Sequence, residues 1–299
     1  MKTGLSALIH PHTPADFMAL YESNEPFVVH HTDEYIKPLT GLPFLASLGA
    51  LLNSWPAKIQ AHLPDVRDES SSIDTTSADA QKLFDNGMGL LFNEAQNISP
   101  LLTQWLDEIR KDLGLSALTY GRCLMYATPA GKGTAPHFDQ NINFVLQVHG
   151  EKTWYMAPNE HVINPMTRHA MGTPTDPELM GYIEKPFPTM MPKDAQKIIL
   201  KPGSLLFVPR GYWHSTEAQE DALSLNFTFT APTWIDLFTA ALRSRLALSP
   251  EWRETANWIS NPETRDEAED TLDILLASLV DDLPNWSAEG ILGATDPKD

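Results

Sequence analysis

The sequence predicts a mainly β protein with flanking helices, and three observations carry that reading. Residues 116–231 break into short apolar runs separated by Gly- and Pro-containing turns, which fits a sandwich or barrel better than alternating βαβ units. Two of those runs alternate polar and apolar residues closely enough to give one wet face and one dry face. On either side of them, apolar residues recur at the helical period instead. At 299 residues the chain is long enough for one large core, or for one domain with a small appendage. Three regions are expected. Residues 1–115 form a helical and strand region flanking the barrel, 116–231 the β core, and 232–299 a helical region and possible dimerisation element.

Thr13-Pro14-Ala15-Asp16 has the form of a helix start, with Thr13 as N-cap, Pro14 at the first helical position and Asp16 in the first turn. Phe17, Leu20 and Tyr21 supply its apolar stripe, Pro26 closes it, and 27–30 reads as a strand. Residues 44–55 are expected to be helical. The polar run from Asp68 to Ala80 is expected to be a surface connection, with room for a short edge strand. Ser99-Pro100 opens the clearest helix. Leu102, Trp105, Leu106, Ile109 and Leu113 recur at its period, and Gly114 follows as a C-cap.

Strands are expected over 118–128, 143–149, 152–157, 197–200, 204–208 and 222–230. Gly150-Glu151 joins the second and third as a tight hairpin, and Lys201-Pro202-Gly203 joins the next pair. Residues 158–196 form a long insertion with turns at Asn164-Pro165 and Asp176-Pro177, and a loop of that length commonly serves as a lid or binding element. After Pro232 a stripe from Trp234 to Leu246 is helical. Ser249-Pro250 and Asn261-Pro262 open two further helices. Acidic residues in the first turns of the last suit the positive end of its dipole, and Leu272, Leu275, Leu276, Leu279 and Leu283 give it an apolar face.

Composition excludes some functions. With 21 Lys+Arg against 39 Asp+Glu the net charge is −18, which opposes direct nucleic-acid binding and suits a basic partner. No stretch approaches the roughly 18 consecutive apolar residues of a membrane span. The first residues lack the apolar core of a secretory signal, and Cys123 is the single cysteine, so a reducing cytoplasmic setting is expected.

Chemistry concentrates between Pro129 and Trp154. His137 and Asp139 flank one phenylalanine, so in an extended strand both side chains face one side. An imidazole and a carboxylate together are two thirds of the 2-His-1-carboxylate triad that holds non-haem Fe(II) with open positions. The run continues with Asn141, Asn143 and Gln147 on the polar series and Phe138, Ile142, Phe144, Leu146 and Val148 on the apolar one. His214, after the Pro209-Arg210-Gly211 turn, is placed to be a remote third ligand. Lys152 faces with Trp154 and Met156, and a lysine in a cavity needs an anion. The second carboxylate of a metal-chelating dicarboxylic co-substrate would supply one. In 222–230, Ser224, Asn226 and Thr228 share the polar face.

These residues resemble the JmjC/cupin Fe(II)- and 2-oxoglutarate-dependent oxygenases. PHFDQNINFVLQVHGEKTW is similar to their first metal-binding strand and hairpin, and PGSLLFVPRGYWHSTEAQEDALSLNFTF to the segment bearing the second histidine. The stretch from Phe84 to Phe92 is similar to the approach to the barrel in ribosomal-protein hydroxylases. The spacing of Thr134, His137, Asp139, Asn143 and Lys152 is like that of the asparaginyl hydroxylase that inhibits the hypoxia-inducible factor. The resemblance implies a double-stranded β-helix (a cupin-like jelly roll) with iron held by His137, Asp139 and His214. It implies that Lys152, assisted by Thr134, anchors the distal carboxylate of 2-oxoglutarate, with Asn143 and Asn226 near the chelating end. Fe(II), 2-oxoglutarate and O2 would then serve hydroxylation of a substrate.

The substrate implied is a protein or peptide, with a small molecule as the alternative, and Tyr126, Gln140, Tyr212 and Trp213 are candidates for its pocket. Ribosomal-protein hydroxylases carry a dimerisation region and a winged helix beyond the barrel, whereas here the chain after Pro250 reads as helices without an obvious wing. A non-oxidative metal cupin would need the triad but not the Lys152 anchor. A metal-free binding protein would need neither. Histone demethylation uses the same hydroxylation step, but no accessory reader domain supports it.

Overall fold

The computed structural model describes residues 3–30, 35–63 and 71–295. Its strands in chain order are β1 (Phe27–His30), β2 (Ile59–His62), β3 (Ser72–Thr75), β4 (Gly89–Phe92), β5 (Tyr120–Thr128), β6 (Gly133–Phe138), β7 (Ile142–His149), β8 (Lys152–Ala157), β9 (His169–Ala170), β10 (Gln196–Leu200), β11 (Ser204–Val208), β12 (Trp213–Ala218) and β13 (Ala222–Thr230). They form two antiparallel sheets, one ordered β1-β11-β7-β13-β5-β4-β2-β3 and the other β10-β8-β12-β6-β9. No strand pairs across from one sheet to the other among the described residues, so the architecture is a mixed α/β fold with two sheets rather than a single closed barrel. The chain divides into two compact units, residues 1–115 with 120–230, and residues 116–119 with 231–299.

In the first unit, several sequence expectations need correction. The run from His137 to Val148 is not one strand: it breaks at Asp139–Asn141, leaving β6 in the five-stranded sheet and β7 in the eight-stranded one. Gly150-Glu151 does reverse the chain, with Gly150 at φ 67°, but β7 and β8 belong to different sheets and form no hairpin. The same holds for Lys201-Pro202-Gly203 between β10 and β11. Turn residues specify a reversal, whereas the partner is set by which strands complete each ladder. A Cβ on Gly150 would stand 2.3 Å from the Asp221 carbonyl oxygen, so glycine lets this turn pass beside the β12–β13 connection.

The alternation within β7 and β13 sorts their residues as the sequence indicates. Phe144, Leu146 and Val148, with Leu223, Leu225, Phe227 and Phe229, join the main core. Helices from the first 115 residues cover it, including Pro14–Glu22, which is opened by a Thr13–Asp16 capping box. Phe17 from that helix meets Phe207 at 5.0 Å and Phe144 at 5.6 Å. Pro100–Asp112 buries Leu102, Trp105, Leu106 and Ile109, and Gly114 (φ 65°) terminates it as the αL cap. The same region also contributes β1 to β4, of which the sequence indicated only β1 and the possibility of β3. Asp68–Ser70 of the polar run lie outside the described residues. Phe44–Trp55 resolves into a short 3₁₀ turn and the helix Leu48–Ser54.

The second unit contains the helices Trp234–Leu246, Arg265–Asp282 and Ala288–Thr295. Thr233 and Asp236 form a capping box at the start of the first. Ser249-Pro250 opens only a 3₁₀ turn, Glu251–Arg253. Arg245 pairs in fork fashion with Asp282. Arg265–Asp282 buries none of its side chains, leaving Leu272, Ile274, Leu276 and Val280 exposed. No helix among the described residues is long and apolar enough to cross a membrane.

Candidate metal centre

Antiparallel pairing of β6 with β12 sets His137 directly opposite His214. The rings lie 4.2 Å apart, and both residues are buried. The Nδ1 of His137 is 2.7 Å from the Ala135 carbonyl oxygen, and that of His214 is 2.9 Å from the Tyr212 carbonyl oxygen. A carbonyl oxygen only accepts, so Nδ1 is the protonated nitrogen in each ring and Nε2 presents its lone pair. Both Nε2 atoms converge on Asp139, whose Oδ2 lies 3.8 Å from His214 and 4.0 Å from His137. Asp139 sits where β6 has just ended, so the break that defeats a continuous strand also swings this carboxylate between the histidines. One ligand atom from each of the three residues fits within 4.8 Å of the others, a spacing that could hold a metal ion.

The electrostatics fit a cation. Burial pushes the Asp139 carboxyl up, but His137, His214 and Arg168 outweigh it and hold the pKa below its ordinary value. Burial, with the neighbouring His137 imidazole, pushes His214 down to about 3 against the opposing pull of Asp139. The site thus presents a carboxylate and a neutral imidazole at ordinary pH, the protonation states that ligation requires. Trp154 stacks on His214 with centroids 5.6 Å apart.

The triad opens into a cavity of about 490 Å³ between the sheets. Lys152 lines its far end and is 5 % exposed. Its Nζ donates to Thr128 Oγ1 at 2.8 Å. Thr134 also lines the cavity, but its hydroxyl engages Thr216 at 3.0 Å rather than Lys152. Thr228 donates to Asn143 Oδ1 at 2.6 Å, leaving the Asn143 amide group to donate. Asn226 Oδ1 and Trp154 Nε1 are buried on the cavity wall with no hydrogen-bond partner. The orphaned Trp154 N–H beside a buried lysine is what an anionic ligand would satisfy, whereas Asn226 Oδ1 calls for a donor.

Of the pocket candidates, Tyr126 and Gln140 line the cavity. Tyr212 and Trp213 do not: Tyr212 packs with Val208 and Met156, and Trp213 is buried among Phe138, Val162 and Leu179. Alternation explains the difference for Trp213, because His214 takes the inward position of β12 and its neighbour must point outward. Gln147 is likewise structural, donating to the His149 carbonyl oxygen. Sequence reasoning missed Thr216, Arg122 and Arg168 on the wall, and Thr128, which holds Lys152 and lines a second pocket sharing Tyr126, Thr134 and Arg168 with this cavity. The period-two series Arg122, Leu124, Tyr126, Thr128 in β5 was a signal for two of them. None pointed to Arg168.

The JmjC domain family matches residues 103–237. Over 285 residues the chain is 31% identical to the uncharacterized protein YxbC of Bacillus subtilis, covering 93% of this chain and 86% of that protein. It is 26% identical over 263 residues to ribosomal oxygenase 1 of Gallus gallus, covering 83% of this chain but only 41% of that relative. Among solved structures, YcfD, a ribosomal oxygenase from Escherichia coli, in complex with cobalt and succinic acid, superposes with a TM-score of 0.54. That match has 15% identity and covers 94% of this chain and 69% of the other, a likeness of fold.

Proposed function

The chain belongs to the JmjC-domain family, and from that premise we propose that it is an Fe(II)- and 2-oxoglutarate-dependent hydroxylase of a protein or peptide side chain. The observation that carries the proposal is the His137–Asp139–His214 cluster opening into a cavity whose opposite end holds buried Lys152. Bound Fe(II) would supply the redox chemistry that splits O2 between the co-substrate, decarboxylated to succinate and CO2, and a substrate C–H bond.

The protein's part is placement. His137, Asp139 and His214 would hold the metal beside the cavity that all three line. Lys152 and Thr128 receive the distal carboxylate of 2-oxoglutarate. The Asn143 amide group and the Trp154 N–H also line the cavity and donate to the chelating end. Tyr126, Arg122, Gln60 and Asn93 make the remaining wall polar, suited to a hydrogen-bonding side chain brought in by a partner.

Several finer readings go with this. The two sheets act as the walls of a double-stranded β-helix. The −18 charge suits a basic protein substrate in the cytoplasm. Leu272, Leu276 and Val280, each four residues on, give Arg265–Asp282 an exposed apolar stripe that serves a homodimer. Ribosomal oxygenases, and the family spacing shared with the hypoxia-inducible-factor asparaginyl hydroxylase, guide the choice of substrates. The test incubates Fe(II)-loaded protein with 2-oxoglutarate, O2 and ribosomal proteins, peptides or small molecules, and looks for a gain of one oxygen by mass spectrometry. A gain on a polypeptide is the expected result. A gain only on small molecules would overturn the peptide assignment.

A further inference from the structure

The segment 158–196 folds against the outer face of the five-stranded sheet, where Val162, Met171 and Leu179 pack with Phe138 and Trp213. Those two aromatics are the sequence neighbours of His137 and His214, so one alternation sends the histidines to the cavity and their neighbours to the segment. Packing alone gives this segment no reason to enter the cavity. Yet Arg168 lines it, the single residue of 158–196 to do so, and its Nε lies 3.2 Å from Asp139 Oδ1.

Arg168 reaches Asp139 from a fixed base. The next two residues pair as β9 with β6, Ala170 opposite His137 and His169 opposite Phe138. The Met171 N–H then donates to the Pro136 carbonyl oxygen at 2.8 Å. The arginine is therefore registered to the same strand that carries the first histidine.

The two oxygens of Asp139 consequently have different surroundings. Oδ2 faces both Nε2 atoms, and Oδ1 faces the guanidinium. That asymmetry has a coordination consequence. Two imidazoles and one carboxylate oxygen leave three positions of an octahedral metal open, enough for a bidentate co-substrate and O2. If the second carboxylate oxygen also bound, only two positions would remain, and the co-substrate would fill both.

We propose that Arg168 is a positioning residue that holds Asp139 Oδ1 off the metal, enforcing one-oxygen ligation and preserving the third exchangeable position. This rests on the reading of the triad as a metal site. The 158–196 segment then sets the metal's coordination number from outside the sheet, through one side chain.

Mn(II) is the probe, because water-proton relaxation reports exchangeable water on it. In wild-type protein, the relaxation enhancement of bound Mn(II) should correspond to three such waters, falling to one with saturating 2-oxoglutarate. In Arg168→Met, it should be lower by about one third without 2-oxoglutarate and nearly abolished with it, as the position count requires. Arg168→Lys should restore part of the difference. Bound Mn(II) is verified by the loss of its free EPR signal, and the melting temperature of each metal-free variant is recorded alongside. Unchanged relaxation in Arg168→Met would overturn the proposal, whether the melting temperature holds or falls, since a purely packing role predicts the latter alone. Should Arg168→Met not fold, the uncharged Arg168→Gln carries the test, and wild-type relaxation in both states overturns the proposal. Failure of wild-type protein to bind Mn(II) would instead remove the metal site itself.

Discussion

Replacing Lys152 with methionine keeps much of the stem and removes the charge. Lys152 is 5 % exposed and its Nζ sits 2.8 Å from Thr128 Oγ1, so a carboxylate arriving there would meet the ammonium with little water between them. Truncating one partner of a buried, hydrogen-bonded charge pair costs about 2–5 kcal/mol, and the lower part of that range applies because the free co-substrate recovers its hydration. About 2–4 kcal/mol corresponds to a loss of roughly 30- to 1,000-fold in 2-oxoglutarate affinity. Thr128→Val removes one hydrogen bond to a charged group, about 1.5–3 kcal/mol, or roughly 10- to 150-fold. Metal binding should be spared in both. Lys152 pairs with Ala218 and Met156 with His214, which puts the lysine four residues, about 13 Å, along β8 from the triad. The assay is calorimetric titration of 2-oxoglutarate into Mn(II)-loaded protein without oxygen. If Lys152→Met titrates like wild type, the lysine does not anchor the co-substrate.

Three further outcomes are expected. Gly133→Ala places a Cβ 1.7 Å from the Thr216 carbonyl oxygen, so β6 must separate from β12 and the two histidines lose their alignment. Stability should fall by about 1–3 kcal/mol or more, with weaker metal binding, and a wild-type melting temperature would contradict it. His214, held neutral with a folded pKa of about 3 against an ordinary 6.5, contributes stability above pH 6.5 that is lost as the pH falls from there toward 3. The melting temperature of metal-free protein should therefore drop across that window, and less steeply in His214→Ala; identical slopes would refute the assignment. Paired Leu272→Glu and Leu276→Glu changes should convert a homodimer to monomer by light scattering, and a wild-type protein already monomeric rules the interface out.

Much of the site is legible in the sequence because period-two alternation is local. It places His137 inward of Phe138, His214 inward of Trp213, and Ser224, Asn226 and Thr228 opposite Leu223, Leu225 and Phe227. What local pattern does not carry is which strand pairs with which. Gly150 signals a reversal in either arrangement, and only completed ladders show that β7 and β8 lie in different sheets. Tyr212 and Trp213 illustrate the same limit, since both are aromatic beside His214, yet each fills an apolar cluster. Arg168 is illegible for another reason: it comes from a segment without regular periodicity and gains its role through pairing with a strand some thirty residues earlier in the chain. Thr128 was within reach, as the next inward residue after Tyr126 in β5.

Succinate formation from 2-oxoglutarate by Fe(II)-loaded protein under O2, measured for wild type and His137→Ala, tests the central claim most directly. Wild-type protein should release succinate and CO2 in equal amounts only when both Fe(II) and 2-oxoglutarate are supplied. His137→Ala, folded by its melting temperature, should release neither. A folded wild-type protein that binds Fe(II) and produces no succinate with its protein or peptide candidates present, or a His137→Ala variant that still does, would contradict the oxygenase assignment.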